Sequence, residues 1–204
     1  MVAIVDYGVG NLFSLKCSLD YIGAKASVTS NEADLDAADA VILPGVGAFR
    51  DAAAKLRGSG LDDAVVKNAR TGKPLLGICL GMQMLFDKSY EYGEYEGLGL
   101  IKGTVRHIHD VSPKSYKIPH IGWNALKFKK PSPLFGRIKD GDHVYFVHSY
   151  FASECEDSVI AETEYGAYLT AAVQKDNVFG CQFHPEKSGE VGLRILRAFC
   201  NLEA

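Results

Sequence analysis

Three residues far apart in the chain have the types and settings for covalent chemistry. Cys79 lies in Gly77-Ile-Cys-Leu-Gly81, a G-x-nucleophile-x-G pattern between an apolar run and a helical one. Small residues on either side of a nucleophile permit a sharp, strained turn that presents it. An ordinary thiol, with a pKa near ~8.5, is mostly protonated at neutral pH, and a helix N-terminus favours its thiolate. The N–H of Leu80 is expected to face any oxyanion formed at Cys79. Taken alone, the pentapeptide is equally a buried cysteine in a glycine-rich turn. The second signal is Phe179-Gly-Cys-Gln-Phe-His184-Pro-Glu186. A strand running into His184, with a carboxylate two residues on, supplies an imidazole and the group that orients it.

Other histidines carry less. His107-Ile-His109-Asp110 superficially resembles a metal-ligating pattern, and period two would put both histidines on one strand face. No further ligands follow at metal-site spacing, so a solvated strand face and no metal are expected.

The nucleophile and base need a rigid frame, and the chain supplies one. Val2–Val5, 26–29, Ala40–Leu43 and 74–78 are short apolar runs that read as strands. Between them, Leu12, Leu15, Leu19 and Ile22 form a helical stripe, and 48–57 and 61–70 are amphipathic. Residues 79–86 read as a further helix. Uniformly apolar strands alternating with helices predict an open, mostly parallel, doubly wound α/β sheet of flavodoxin-like type. Strand-like pieces crowd the second half at 103–108, 117–118, 125–128, 143–151, 159–163, 170–174 and 178–183, predicting antiparallel additions. A helix over 189–201 closes the chain. Neither a repeat nor a linker interrupts 1–204, which reads as a single domain.

Composition narrows the function. The chain has 204 residues, 47% hydrophobic and 23% charged, with a net charge of -3. With no basic half, a nucleic-acid partner is not expected. The charge-free stretch around 75–86 is far shorter than the ~20 residues of a membrane helix, so no membrane partner is expected either. The apolar N-terminus has no basic region before it and reads as a strand, not a signal peptide. Five scattered cysteines without a C-x-x-C pair suit a reducing cytoplasm rather than a disulfide framework.

Three motifs in this order, Pro44-Gly-Val-Gly47, GICLGMQ around Cys79 and QFHPE around His184 and Glu186, resemble the class I (triad) glutamine amidotransferases. Asp6-Tyr-Gly-Val-Gly-Asn-Leu12, Pro119-His-Ile-Gly-Trp-Asn124, Val147-His-Ser-Tyr150 and His184-Pro-Glu-Lys-Ser-Gly189 extend the resemblance across the chain. They resemble the branch of that family that works beside a separate (β/α)8-barrel cyclase in histidine biosynthesis.

The resemblance implies hydrolysis of L-glutamine to glutamate and ammonia, without a cofactor. The ammonia passes to the cyclase of a heterodimer, which makes imidazole glycerol phosphate and AICAR. Cys79 is implied as nucleophile, His184 as acid and base, and Glu186 as its orienter. Leu80 and the Val46-Gly47 turn are implied as the oxyanion hole, with the 44–47 turn as a switch. Gly45, Gln83, Glu91, His148, Ser149 and Tyr150 are implied in glutamine recognition. Tyr7, Asn11, Trp123, Tyr145 and Lys187 are implied at the partner face.

Rival readings remain. A glutaminase serving anthranilate, aminodeoxychorismate or pyridoxal phosphate synthesis lacks support from DYGVGN and PHIGWN. A cysteine hydrolase of similar fold would ignore a glutamine analogue. A nucleotide-binding module is suggested by Gly8-Val-Gly10, but Asn11-Leu12-Phe13 lacks the third fingerprint glycine.

Overall fold

Apolar β-branched runs separated by stretches of helical periodicity build the first half of the molecule. In the computed structural model, which describes residues 1–202, these are β1 (Val2–Val5), α1 (Leu12–Tyr21), β2 (Ala26–Thr29), α2 (Glu32–Ala37) and β3 (Ala40–Gly45). They continue as α3 (Phe49–Gly58), α4 (Leu61–Arg70), β4 (Leu75–Cys79) and α5 (Leu80–Gln83). The last two residues of the expected 1–204 domain lie outside the described residues.

The second half is mainly strands: β5 (Lys88–Ser89), β6 (Tyr95–Glu96), β7 (Thr104–His107), β8 (His120–Ala125) and β9 (Lys127–Phe128). After them come β10 (His143–His148), β11 (Tyr150–Ser153), β12 (Val159–Glu164), β13 (Tyr168–Lys175) and β14 (Val178–Cys181), closed by α6 (Gly189–Cys200).

Among the described residues the main sheet has eight strands in the order β2-β1-β3-β4-β14-β13-β12-β9. From β2 to β14 every pairing is parallel, and from β14 to β9 every pairing is antiparallel. The parallel part has the flavodoxin-like order expected, with β14 returning late in the chain to take the fifth place. Alternate residues of each inner strand feed two cores. Ala3, Val5, Val41 and Leu43 meet α3 and α4 through Phe49, Leu56, Leu61 and Val65. Val2, Ile4, Ile42 and Ile78 meet α1 and α6 through Leu15, Leu19, Ile195 and Phe199. Burial on both faces explains why the strands are uniformly apolar.

Several expectations need correction. The antiparallel additions do not all join the main sheet: β10 pairs with β8, and β11, β7, β5 and β6 form another small sheet. Residues 117–118 are not a strand, and 143–151 is two strands interrupted at Ser149. The helix expected over 79–86 is a single turn. Its later carbonyls are taken by another segment: Leu98 donates to Met84 at 2.8 Å, Gly99 to Phe86 at 3.1 Å, and Leu100 to Leu85 at 2.9 Å. His107 and His109 do not share a strand face, because His107 Nδ1 accepts from the His109 N–H at 3.1 Å and starts a 3-10 turn. The described residues hold no cluster of potential metal ligands and no helix long and apolar enough to cross a membrane.

Candidate active site

The carboxyl ends of β3, β4 and β14 lie side by side, where open α/β sheets place their ligands. β4 ends on Cys79, whose backbone has φ 55° and ψ −111°, a strained conformation for a residue with a side chain. What permits the turn is space beneath it. A Cβ on Gly77 would lie 2.7 Å from the Gly81 carbonyl oxygen, and one on Gly81 would overlap the Leu43 carbonyl. The expected helix dipole behind Cys79 is reduced to that of one turn. The group that faces the sulfur is instead an imidazole.

His184 follows β14 and is 2% exposed. Its backbone N–H donates to the Tyr145 carbonyl at 2.9 Å, and its carbonyl accepts from Ser188 Oγ at 2.6 Å, so the residue is clamped at both ends. Its Nδ1 lies 2.8 Å from Glu186 Oε1, and the ring also interacts with Cys79. Burial disfavours the imidazolium, but Cys79 and Glu186 outweigh it and push the His184 pKa up to about 10. Asn11 Nδ2 donates to the same Glu186 oxygen at 3.2 Å. Asparagine is a favoured helix cap, yet this side chain does not cap α1 and turns to the carboxylate instead.

Above these groups is a cavity of about 380 Å³, within the range of small-molecule sites. Val46, Gly47, Cys79, Leu80, Gln83, Glu91, His148, Ser149, Tyr150, His184 and Lys187 line it, so eleven of the seventeen sequence-implied site residues share one space. Gly47 has φ +91°, a region that glycine enters without strain. Gln83 is buried, its Nε2 donating to the Tyr150 carbonyl at 2.9 Å and to Gln182 Oε1 at 3.0 Å. Glu91 accepts from the Phe49 N–H at 2.6 Å, and burial raises its carboxyl pKa. Burial pushes the pKa of His148 down to about 3, which keeps that ring neutral at physiological pH.

Other residues sit differently. Gly45 does not line the cavity; it ends β3 opposite Cys79, where a Cβ would meet Gly81 N at 2.8 Å. Tyr7, implied at a partner face, is buried, with its hydroxyl donating to the Pro44 carbonyl at 2.8 Å. Trp123 is 53% exposed and meets Tyr145 edge to face, with ring centres 5.9 Å apart. Lys187 Nζ lies 6.0 Å from the centre of the Tyr145 ring. Sequence reasoning missed Gln182, whose Nε2 lies 3.7 Å from Cys79 Sγ, and the lining residue Pro119. Both stand inside quoted motifs, but nothing in a motif shows which member faces the sulfur.

An imidazole between a thiol and a carboxylate, under an open cavity, is equipped to move a proton while the sulfur attacks a carbonyl. The comparisons with known proteins agree with that class of chemistry. The Glutamine amidotransferase class-I family matches residues 3–201, and the chain belongs to that family. Within it the chain is similar to proteins named Imidazole glycerol phosphate synthase subunit HisH. It is 52% identical to the one from Caldanaerobacter subterraneus subsp. tengcongensis, with 98% of this chain and 97% of that protein covered. With the one from Wolinella succinogenes it shares 48% identity over 99% of this chain and 100% of that protein. Among solved structures, PurLQS from Thermotoga maritima matches with a TM-score of 0.76 at 22% identity, over 98% of this chain and 97% of that one. At that identity the match supports the fold alone.

Proposed function

We propose that this chain is the glutaminase subunit of imidazole glycerol phosphate synthase. In this reading it hydrolyses L-glutamine to glutamate and ammonia and delivers the ammonia to a (β/α)8-barrel cyclase, with which it forms a heterodimer in the cytoplasm. The near-full-length identity with HisH proteins supports the pathway. The observation that carries the chemistry is the His184 imidazole held by Glu186 at 2.8 Å and sharing the cavity with Cys79, which raises its pKa.

In the first half-reaction the Cys79 thiol gives its proton to His184 as the sulfur attacks the side-chain carboxamide carbon of glutamine. His184 gives its proton to the departing nitrogen, the C–N bond breaks, and a glutamyl thioester and ammonia result. In the second, His184 takes a proton from water as the water oxygen attacks the thioester. The C–S bond then breaks, glutamate leaves, and the thiol–imidazole pair is restored. Glu186 holds the ring in one tautomer, and Asn11 holds Glu186. Leu80 N–H, at the start of α5, and the Val46-Gly47 turn are the oxyanion donors. Gln83, Glu91 and the His148-Ser149-Tyr150 segment bind the amino acid, and Trp123, Tyr145, Asn11 and Lys187 lie at the partner face. Docking a barrel over this edge keeps ammonia from bulk water, where protonation would end its nucleophilicity.

The deciding experiment is glutamine hydrolysis by this chain alone, with the cyclase, and with the cyclase and its ligand. Strong stimulation by the liganded cyclase is the expected result. Equal turnover in all three conditions would overturn the switch, and no turnover in any would overturn the assignment.

A further inference from the structure

The turn between β3 and α3 lines the cavity with Val46 and Gly47, and among the described residues neither of their N–H groups has a hydrogen-bond partner. Side chains hold this turn at both ends. After it, the Phe49 N–H at the start of α3 donates to Glu91 at 2.6 Å. Before it, the Pro44 carbonyl accepts from the Tyr7 hydroxyl at 2.8 Å.

The bond from Tyr7 follows from where the strands end. The Val41 N–H donates to Pro74 at the start of β4, so the backbone groups of Val41, Leu43 and Gly45 face β4, and those of Ile42 and Pro44 face β1. β1 pairs with β3 only as far as Ile4 opposite Ile42, which leaves the buried Pro44 carbonyl past the end of that ladder. Proline has no N–H, so this carbonyl is the one backbone group by which residue 44 can be held. A buried carbonyl without a donor is costly, and Tyr7, just beyond β1, supplies the donor. Burial, and after it the nearby Cys79, raise the Tyr7 pKa, so the hydroxyl keeps its proton at any working pH.

The same hydroxyl adjoins the nucleophile turn. It lies 2.9 Å from where a Cβ on Gly45 would stand, a point that is also 2.8 Å from Gly81 N and 3.0 Å from Leu80 Cβ. Because a peptide is planar, holding the Pro44 oxygen also holds the Gly45 N–H. The next peptide, which carries the Val46 N–H, then swings from a fixed base about Gly45, which has no side chain to resist it. Oxyanion donors accelerate a reaction to the extent that they are aimed beforehand.

We propose that Tyr7 is a positioning residue: its hydroxyl fixes the Pro44–Gly45 peptide as the base from which the Val46 and Gly47 N–H groups are aimed into the cavity. The effect on an oxyanion rests on the glutaminase reading, whereas the anchoring of the turn does not.

Tyr7→Phe removes the hydroxyl and keeps the ring. The test compares it with wild type in the complex with the cyclase and its ligand, by glutamine kinetics and backbone NMR. The kcat for glutamine should fall about tenfold while KM stays within about twofold, the pattern of an interaction that matters only in the transition state. The loss is smaller than the ~100-fold or more that follows deletion of an oxyanion donor, because the donors remain and only their aim loosens. The order parameters of the Val46 and Gly47 amides should fall, while that of Phe49, held by Glu91, should keep its value. Wild-type kcat in Tyr7→Phe, a change carried by KM, unaltered turn amides, or faster turnover without the cyclase each overturns the proposal. So does failure of Tyr7→Phe to assemble with the cyclase, which would make the residue a support of the core alone. An inactive wild-type complex would count against the glutaminase reading alone, since the amide measurement needs no turnover.

Discussion

Gly81 packs so closely under the carbonyl of Leu43 that a single added carbon would overlap that oxygen. The contact joins the end of β3 to the turn after β4, and it is backbone on the Leu43 side, so no side chain can move away. Gly81→Ala is expected to lower stability by about 1–3 kcal/mol, the usual cost of overpacking. Denaturant titration measures it, and glutamine turnover should fall as well, because the same turn presents Cys79.

Cys79→Ala removes the sulfur that the proposed mechanism uses for attack. Glutamine-dependent synthesis by the complex should disappear, while synthesis supplied with free ammonia should persist. A Cys79→Ala complex that still consumes glutamine would refute the nucleophile assignment.

His184 holds its proton up to a pKa of about 10 against an ordinary 6.5. A pKa raised on folding adds stability that is complete below pH 6.5 and is lost as pH climbs through about 10. Following the ring by NMR should show titration near the upper value in the native protein. In Glu186→Gln, where one of the two groups raising it is gone, the titration should move downward.

Asn11 reaches Glu186 across 175 positions of sequence at 3.2 Å. Asn11→Ala leaves the carboxylate oxygen with only the imidazole as partner. Hydrogen bonds to charged groups are worth about 1.5–3 kcal/mol, so kcat should fall roughly tenfold or more. Thermal stability should fall as well, through the lost bond to the buried carboxylate and not through α1, which this side chain does not cap.

Trp123 exposes half of its surface beside Tyr145. If it anchors the cyclase, Trp123→Ala should weaken the complex by about 2 kcal/mol or more, as buried aromatic anchors do. Titration calorimetry against the cyclase measures the loss. The melting temperature of the isolated chain should be unchanged.

Much of this molecule was legible in local patterns. Short β-branched runs and 3.6-residue stripes predict the parallel strands and α1, α3, α4 and α6 because their period and apolarity reflect which faces are covered. The motifs around Cys79 and His184 mark a cysteine, an imidazole and a carboxylate by residue type and spacing, and the fold brings the three together. What tertiary structure alone decided are partnerships made across the chain. Just past α5, Leu98, Gly99 and Leu100 take the carbonyls of Met84, Phe86 and Leu85, where local periodicity favours more helix. Burial moved Tyr7 from an expected surface into the core and drew Asn11 away from its capping position to Glu186. The His120–His148 contact depends on the β8–β10 register. Each of these outcomes turns on hydrogen bonds between residues distant in sequence, and a donor's choice among buried acceptors is settled only when packing has excluded water from the others.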